Sequence, residues 1–202
     1  MNRDRSTPGG RPLPAAIPFV GRGRELEALG DAVEQAFQGR GSICLLAGEP
    51  GIGKSRLADE VAGRARERGG VVLWGRCWEA GGAPAYWPWV QSLRSLVRTI
   101  GVETAIGHLG DDADELAQLL PEIRELRPVA LESPTGDPDA ARFRLFDSLT
   151  RFLLGAASDR PLVVVLDDLH AADVPSLLLL RFQAAQMRDA ALMLVGTYRD
   201  VA

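Results

Sequence analysis

The sequence predicts an α/β fold, a parallel β-sheet with helices on both faces, and three observations carry that reading. Four short runs, SICLLA at 42–47, VVLWG at 71–75, LVVVL at 162–166 and ALMLVGT at 191–197, are almost wholly apolar and show no polar alternation. Strands of that kind are covered on both faces, as parallel strands are. Helix-like segments fill the intervals between them. Polar clusters fall at the carboxyl ends of the first, third and fourth runs, where sheets of this class bind ligands.

Residues 1–16, with three arginines, three prolines and two glycines, read as a mobile tail ahead of a core at 17–202. Leu26, Leu29, Val33 and Phe37 then recur at helical spacing and predict an amphipathic helix over about 24–38, entered from a short extended segment. The strand at 42–47 leads through a glycine-rich turn into a helix from Lys54 to the Gly69-Gly70 stop. After the second strand come a helical stretch at 86–100, smaller helices within 103–127 and a Pro-Gly-Asp linker at 128–138. The helix AARFRLFDSLTRFLLGAA precedes the third strand, and one more helix separates it from the fourth. No internal repeat is present.

Composition excludes several function classes. With 202 residues, 46% hydrophobic and 25% charged, the chain has the make-up of an ordinary globular domain. A formal charge of −4 and a pI near 5.3 provide no electrostatic footprint for nucleic acid, so direct nucleic-acid contact by this chain is not expected. Cys44 and Cys77 are too few for a disulfide framework and are expected as reduced thiols. The runs LVVVL and LLLLRF fall far short of the roughly 20 residues of a membrane span, and MNRDRSTPGGRPLP lacks a signal-peptide core. The expected setting is soluble and cytoplasmic.

The chemistry concentrates in GEPGIGKSR, residues 48–56, directly behind the first strand. Gly48, Gly53, Lys54 and Ser55 match the phosphate-loop spacing, in which main-chain amides surround phosphates, lysine pairs with the outer ones and the hydroxyl ligates magnesium. Pro50 and Gly51 rigidify the turn, and Glu49, Ile52 and Arg56 complete the candidate cofactor-binding stretch. In LVVVLDDLH, residues 162–170, a fully apolar strand ends in two carboxylates at a Walker B position. Asp167 is expected on magnesium and Asp168 as the base that orients the attacking water. In LVGTYRD, residues 194–200, Thr197 and Arg199 are candidate sensors of the terminal phosphate, the arginine fork suiting phosphate oxygens. The group Trp78, Tyr86, Trp87 and Trp89 is read as core before partner surface. A metal role for His170 is not expected, because no other ligand cluster is visible around it.

In order, FVGRGREL, GEPGIGKSR, VVVLDDLH and GTYRD give a resemblance to the N-terminal NTPase core of the signal-transduction (STAND) ATPases related to AAA+ proteins. The stretch GRCWEAGGAPAYWPWVQSL is similar to the region after the second strand in large ATP-binding LuxR-type transcriptional regulators. The resemblance spans about 17–202 and implies a three-layer P-loop NTPase with sheet order 5-1-4-3-2. It places Val20 and Gly21 at the adenine base and Arg22 near ribose or phosphates. It further implies ATP or ADP with Mg2+, an ATP-dependent switch in place of a motor, and oligomerisation with ATP. An aspartate at the base position, one methylene shorter than the glutamate of vigorous motors, leads us to expect slow hydrolysis.

Relatives continue into a fifth strand, a helical lid, a winged helix, helical repeats and often a DNA-binding domain, all of which lie beyond this sequence. The expectations that follow are a phosphate-loop strand at an exposed sheet edge, weak ATP binding and some self-association. The leading functional reading is the ATP-switch module of a bacterial multidomain transcriptional regulator. A remodelling ATPase or small-molecule phosphotransferase is the enzymatic alternative, and a noncatalytic interaction domain that retains the cradle is the third.

Overall fold

A computed structural model describes residues 22–110, 113–121, 123 and 137–200. The expected tail at 1–16, the positions Val20 and Gly21, and most of the expected linker at 128–138 lie outside the described residues.

Four parallel strands, β1 (Ser42–Gly48), β2 (Val71–Arg76), β3 (Leu162–Asp167) and β4 (Leu192–Arg199), form one sheet in the order β1-β4-β3-β2. β4 is thus inserted between β1 and β3, as the resemblance implied. Helices α1 (Gly23–Phe37) and α2 (Lys54–Glu67) cover one face. On the other lie α3 (Trp87–Ile100), α4 (Val102–Leu109), α5 (Ala113–Leu116), α6 (Pro138–Asp159) and α7 (Val174–Gln186).

Side chains of an extended strand alternate between faces, so one strand feeds two cores. In β3, Val163 and Val165 pack with Leu29, Val33, Leu57 and Val61 of α1 and α2. Leu162, Val164 and Leu166 of the same strand join Leu93, Leu149, Phe152 and Leu153 on the opposite side. All six residues of β3 are buried, which is why its sequence carries no polar alternation until Asp167.

β1 lies at the edge of the sheet, as expected, but it is not covered on both faces as its apolar run suggested. Cys44 and Leu46 of β1 pack toward α1 and α2, but Ile43 and Leu45 on the other face are 38% and 53% exposed. Helices α3 to α7 cover the β2-β3-β4 side of the sheet without extending over β1. An apolar run signals that a strand is suited to burial on both faces; it carries no information about whether a neighbour is in place.

Close approach at the end of β2 fixes the start of α3. A Cβ at Gly75 would overlap the main-chain carbonyl of Pro88, so glycine there lets α3 lie directly against the strand. Trp89 follows and is fully buried, its indole Nε1 donating to the Ser176 carbonyl at 3.1 Å. The aromatic group therefore divides. Trp89 is core, Tyr86 and Trp87 pack partly against it, and Trp78 is exposed.

Asp137 and Asp173 accept hydrogen bonds from the Asp139 and Ser176 amides and cap α6 and α7. Both cysteines are free, and no helix among the described residues is long and apolar enough to cross a membrane.

Candidate functional site

The turn between β1 and α2 brings the phosphate-loop residues to the carboxyl edge of the sheet. Gly53, at φ 96°, occupies the left-handed region open to glycine and directs the first amides of α2 outward. These amides have no earlier carbonyl to bind within the helix, and open space lies beside Gly51 and Gly53. The combination suits an anion.

Lys54 is turned into this loop. It is only 7% exposed, and its ammonium donates to the carbonyls of Gly48 and Glu49, each at 2.8 Å. Next to it, Ser55 Oγ donates to Asp167 Oδ1 at 3.0 Å. Ser55 and Asp167, 112 residues apart in the chain, thus meet side chain to side chain.

Asp167 is 1% exposed and is held from three sides. Thr197 Oγ1 donates to its Oδ1 at 2.6 Å, and Arg76 reaches its Oδ2 with Nη2 at 3.0 Å and Nε at 3.3 Å. The register places Arg76 beside Asp167 across the β2-β3 pair. A buried carboxylate without partners is costly, and here each oxygen is satisfied.

Thr197 is completely buried and its hydroxyl is fully engaged, since it also accepts the Asp168 amide at 2.9 Å. Its hydroxyl joins the Asp167 carboxylate to the Asp168 main chain.

Asp168 starts a short 3-10 turn, Leu169–Ala171, from the left-handed region at φ 62°. Its carboxylate comes within 4.8 Å of ligand atoms of Glu79 and His170. The sequence reading found no ligand cluster around His170, but among the described residues this triad forms one. Glu79 arrives from the loop after β2, 91 residues away, a proximity that linear spacing hides. The group is already internally paired: Glu79 accepts from Arg199 Nη2 and contacts His170 Nε2 at 3.1 Å. We therefore do not assign it a metal.

Arg22 also takes a left-handed conformation and donates through Nη2 to the Ile52 carbonyl at 2.8 Å, tying the entry of α1 to the phosphate loop. Arg56 faces outward on α2 and pairs with Glu60 at 3.0 Å. Arg199 ends β4 directly opposite Gly48.

Two residues escaped sequence reasoning, Arg76 and Glu79. Both stand in GRCWE at the end of β2, and the available signal was the placement of charged residues just after an apolar run. Cys77, buried beside them, has its thiol pushed up to about 12, first by burial and then by the carboxylates of Asp173, Asp168 and Asp167.

The donor set fits a magnesium-bound nucleoside phosphate: main-chain amides and an ammonium for phosphates, a hydroxyl and a carboxylate for a hard cation. The chain is 29% identical over 195 residues to the uncharacterized protein R02095 of Rhizobium meliloti (strain 1021), a match covering 90% of this chain and 18% of that protein.

Among solved structures it is similar to Drosophila ORC bound to AT-rich DNA and Cdc6, at TM-score 0.37 and 10% identity over 88% of this chain and 49% of that one. It is also similar to the plasmid coupling protein TrwB in complex with the non-hydrolysable GTP analogue GDPNP, at TM-score 0.34 and 14% identity over 83% and 65%. The chain thus spans less than a fifth of its curated relative and about half of the ORC chain. The AAA ATPase domain model matches residues 18–195, and the chain belongs to that family.

Proposed function

We propose that this chain is an ATP-binding switch module with slow ATP hydrolysis, the N-terminal part of a bacterial multidomain transcriptional regulator of the STAND, LuxR-type kind. The observation that carries the reading is the convergence of Lys54, Ser55 and Asp167 at one point of the sheet edge. The regulator setting is supported by the combined motifs of the sequence. The Rhizobium relative, of which the match spans only 18%, supports a place in a larger protein.

In this reading the first amides of α2 and Lys54 bind the phosphates, Lys54 exchanging loop carbonyls for phosphate oxygens. Ser55 Oγ and Asp167 hold Mg2+, which neutralises phosphate charge when bound. Asp168 orients the attacking water. Arg22, Val20 and Gly21 serve the nucleoside end. The ATP and ADP states differ because contacts to the terminal phosphate are lost on hydrolysis, and a switch needs only that difference.

The test is calorimetric titration of ATP and ADP with and without magnesium, on the chain and on Lys54→Ala. Loss of a hydrogen-bonded charge should weaken ATP binding roughly 10- to 100-fold. Equal affinity in the variant would refute the cradle. Turnover as fast as a motor's, or transfer to a small-molecule acceptor, would favour the enzymatic alternative.

A further inference from the structure

We propose that Glu79 determines how well the site distinguishes a triphosphate from a diphosphate, by holding Arg199 until a terminal phosphate competes for it. The proposal rests on the nucleotide reading above and concerns a residue that reading does not use.

Arg199 is the last residue of β4, paired in register with Gly48, the first glycine of the phosphate loop. The following amide, that of Asp200, donates to the Gly48 carbonyl at 3.3 Å. The arginine therefore leaves the sheet at the mouth of the loop. Its guanidinium is bound to Glu79 Oε1, the same oxygen that His170 Nε2 contacts at 3.1 Å. To make this contact Glu79 crosses from the end of β2 over the end of β3 to the end of β4. One carboxylate thus spans the strand ends beside which the terminal phosphate would lie.

The strength of the contact favours a latch over a permanent brace. The side chains of Arg199 and Glu79 are 37% and 49% exposed, and ion pairs in such surroundings are weak. A multiply charged phosphate with a geometry matched to the guanidinium fork can displace a single carboxylate. His170 stays beside Glu79 after the exchange, so the carboxylate keeps a hydrogen-bond partner. A diphosphate offers no group at that position and leaves the pair intact. Breaking the pair then opposes ATP binding alone, and Glu79 lowers the ATP-to-ADP selectivity of the resting protein.

The measurement is calorimetric titration of Mg-ATP and Mg-ADP on the chain, on Glu79→Gln and Glu79→Ala, and on Arg199→Ala alone and combined with Glu79→Gln. Both Glu79 variants should bind ATP about three- to five-fold more tightly, the scale of one partly exposed ion pair, with ADP unchanged. In the double variant the gain should vanish. Unchanged ATP affinity, a parallel shift for ATP and ADP, or a gain that survives loss of Arg199 would overturn the proposal while leaving nucleotide binding intact. Failure of the unmutated chain to bind either nucleotide would overturn the nucleotide reading itself, and this inference with it.

Discussion

Asp167 and Glu79 are both carboxylates at the carboxyl edge of one sheet, yet they sit in opposite physical regimes. Asp167 is buried, with hydroxyl donors from Ser55 and Thr197 on one oxygen and Arg76 on the other. Glu79 is half exposed and shares one oxygen between Arg199 and His170. A buried network is held by the high cost of leaving any member unpaired, whereas an exposed pair exchanges partners cheaply. The inner group is therefore suited to keeping a fixed seat for a cation, and the outer one to changing when the ligand changes.

The most sensitive probe of the inner regime is Cys77, whose thiol lies under its influence. With the thiol raised from 9.0 to about 12, the thiolate fraction at pH 8 falls roughly 1,000-fold. Alkylation of the folded chain should be slower than that of a free thiol by a comparable factor, and the rate should rise with pH through the alkaline range. Mass-spectrometric time courses at pH 8 and pH 10 check this. Fast modification at pH 8 would mean that the surroundings of Cys77 are neither as dry nor as negative as the structure indicates.

Thr197→Val tests the same network by stability. The change preserves shape, removes one donor to Asp167 and strands the Asp168 amide, so unfolding should be easier by about 1–3 kcal/mol in urea titrations. Arg76→Met should have a comparable effect, about 1–3 kcal/mol, because it strips the buried Asp167 Oδ2 of the guanidinium that satisfies it. If magnesium takes over the charge of Asp167, adding Mg-ATP should shrink the Arg76→Met deficit. An equal deficit with and without Mg-ATP would show that arginine and cation act on different oxygens.

The same contrast explains what the sequence revealed. The order of strands and helices, the glycine-rich turn into α2 and the position of Asp167 and Asp168 at the end of β3 were legible because each is local: a run, a spacing, a strand end. Helix boundaries agreed to within a residue or two, α1 occupying 23–37 where 24–38 was expected. Arg76, Glu79 and the cluster around His170 were not legible, since their meaning comes from the β2-β3 register and from a loop crossing three strand ends. Thr197 was visible as a polar residue after an apolar run, but its burial depends on β4 lying between β1 and β3. The exposed face of β1 escaped for a related reason, because composition reports suitability for burial and not the neighbour that supplies it.

That face yields the smallest effect. Leu45 is 53% exposed on β1, so Leu45→Thr removes little buried area and introduces a β-branched side chain suited to a strand. Thermal or urea unfolding should shift by no more than about 0.5 kcal/mol. The association state is where the substitution should register: an edge strand with exposed Ile43 and Leu45 offers unpaired main-chain groups and an apolar surface together, the combination that recruits a second strand. Sedimentation velocity over a concentration series should show self-association that Leu45→Thr weakens. A large loss of stability would instead place Leu45 in a packed interface, making β1 as enclosed as β3 and removing the distinction between edge and centre.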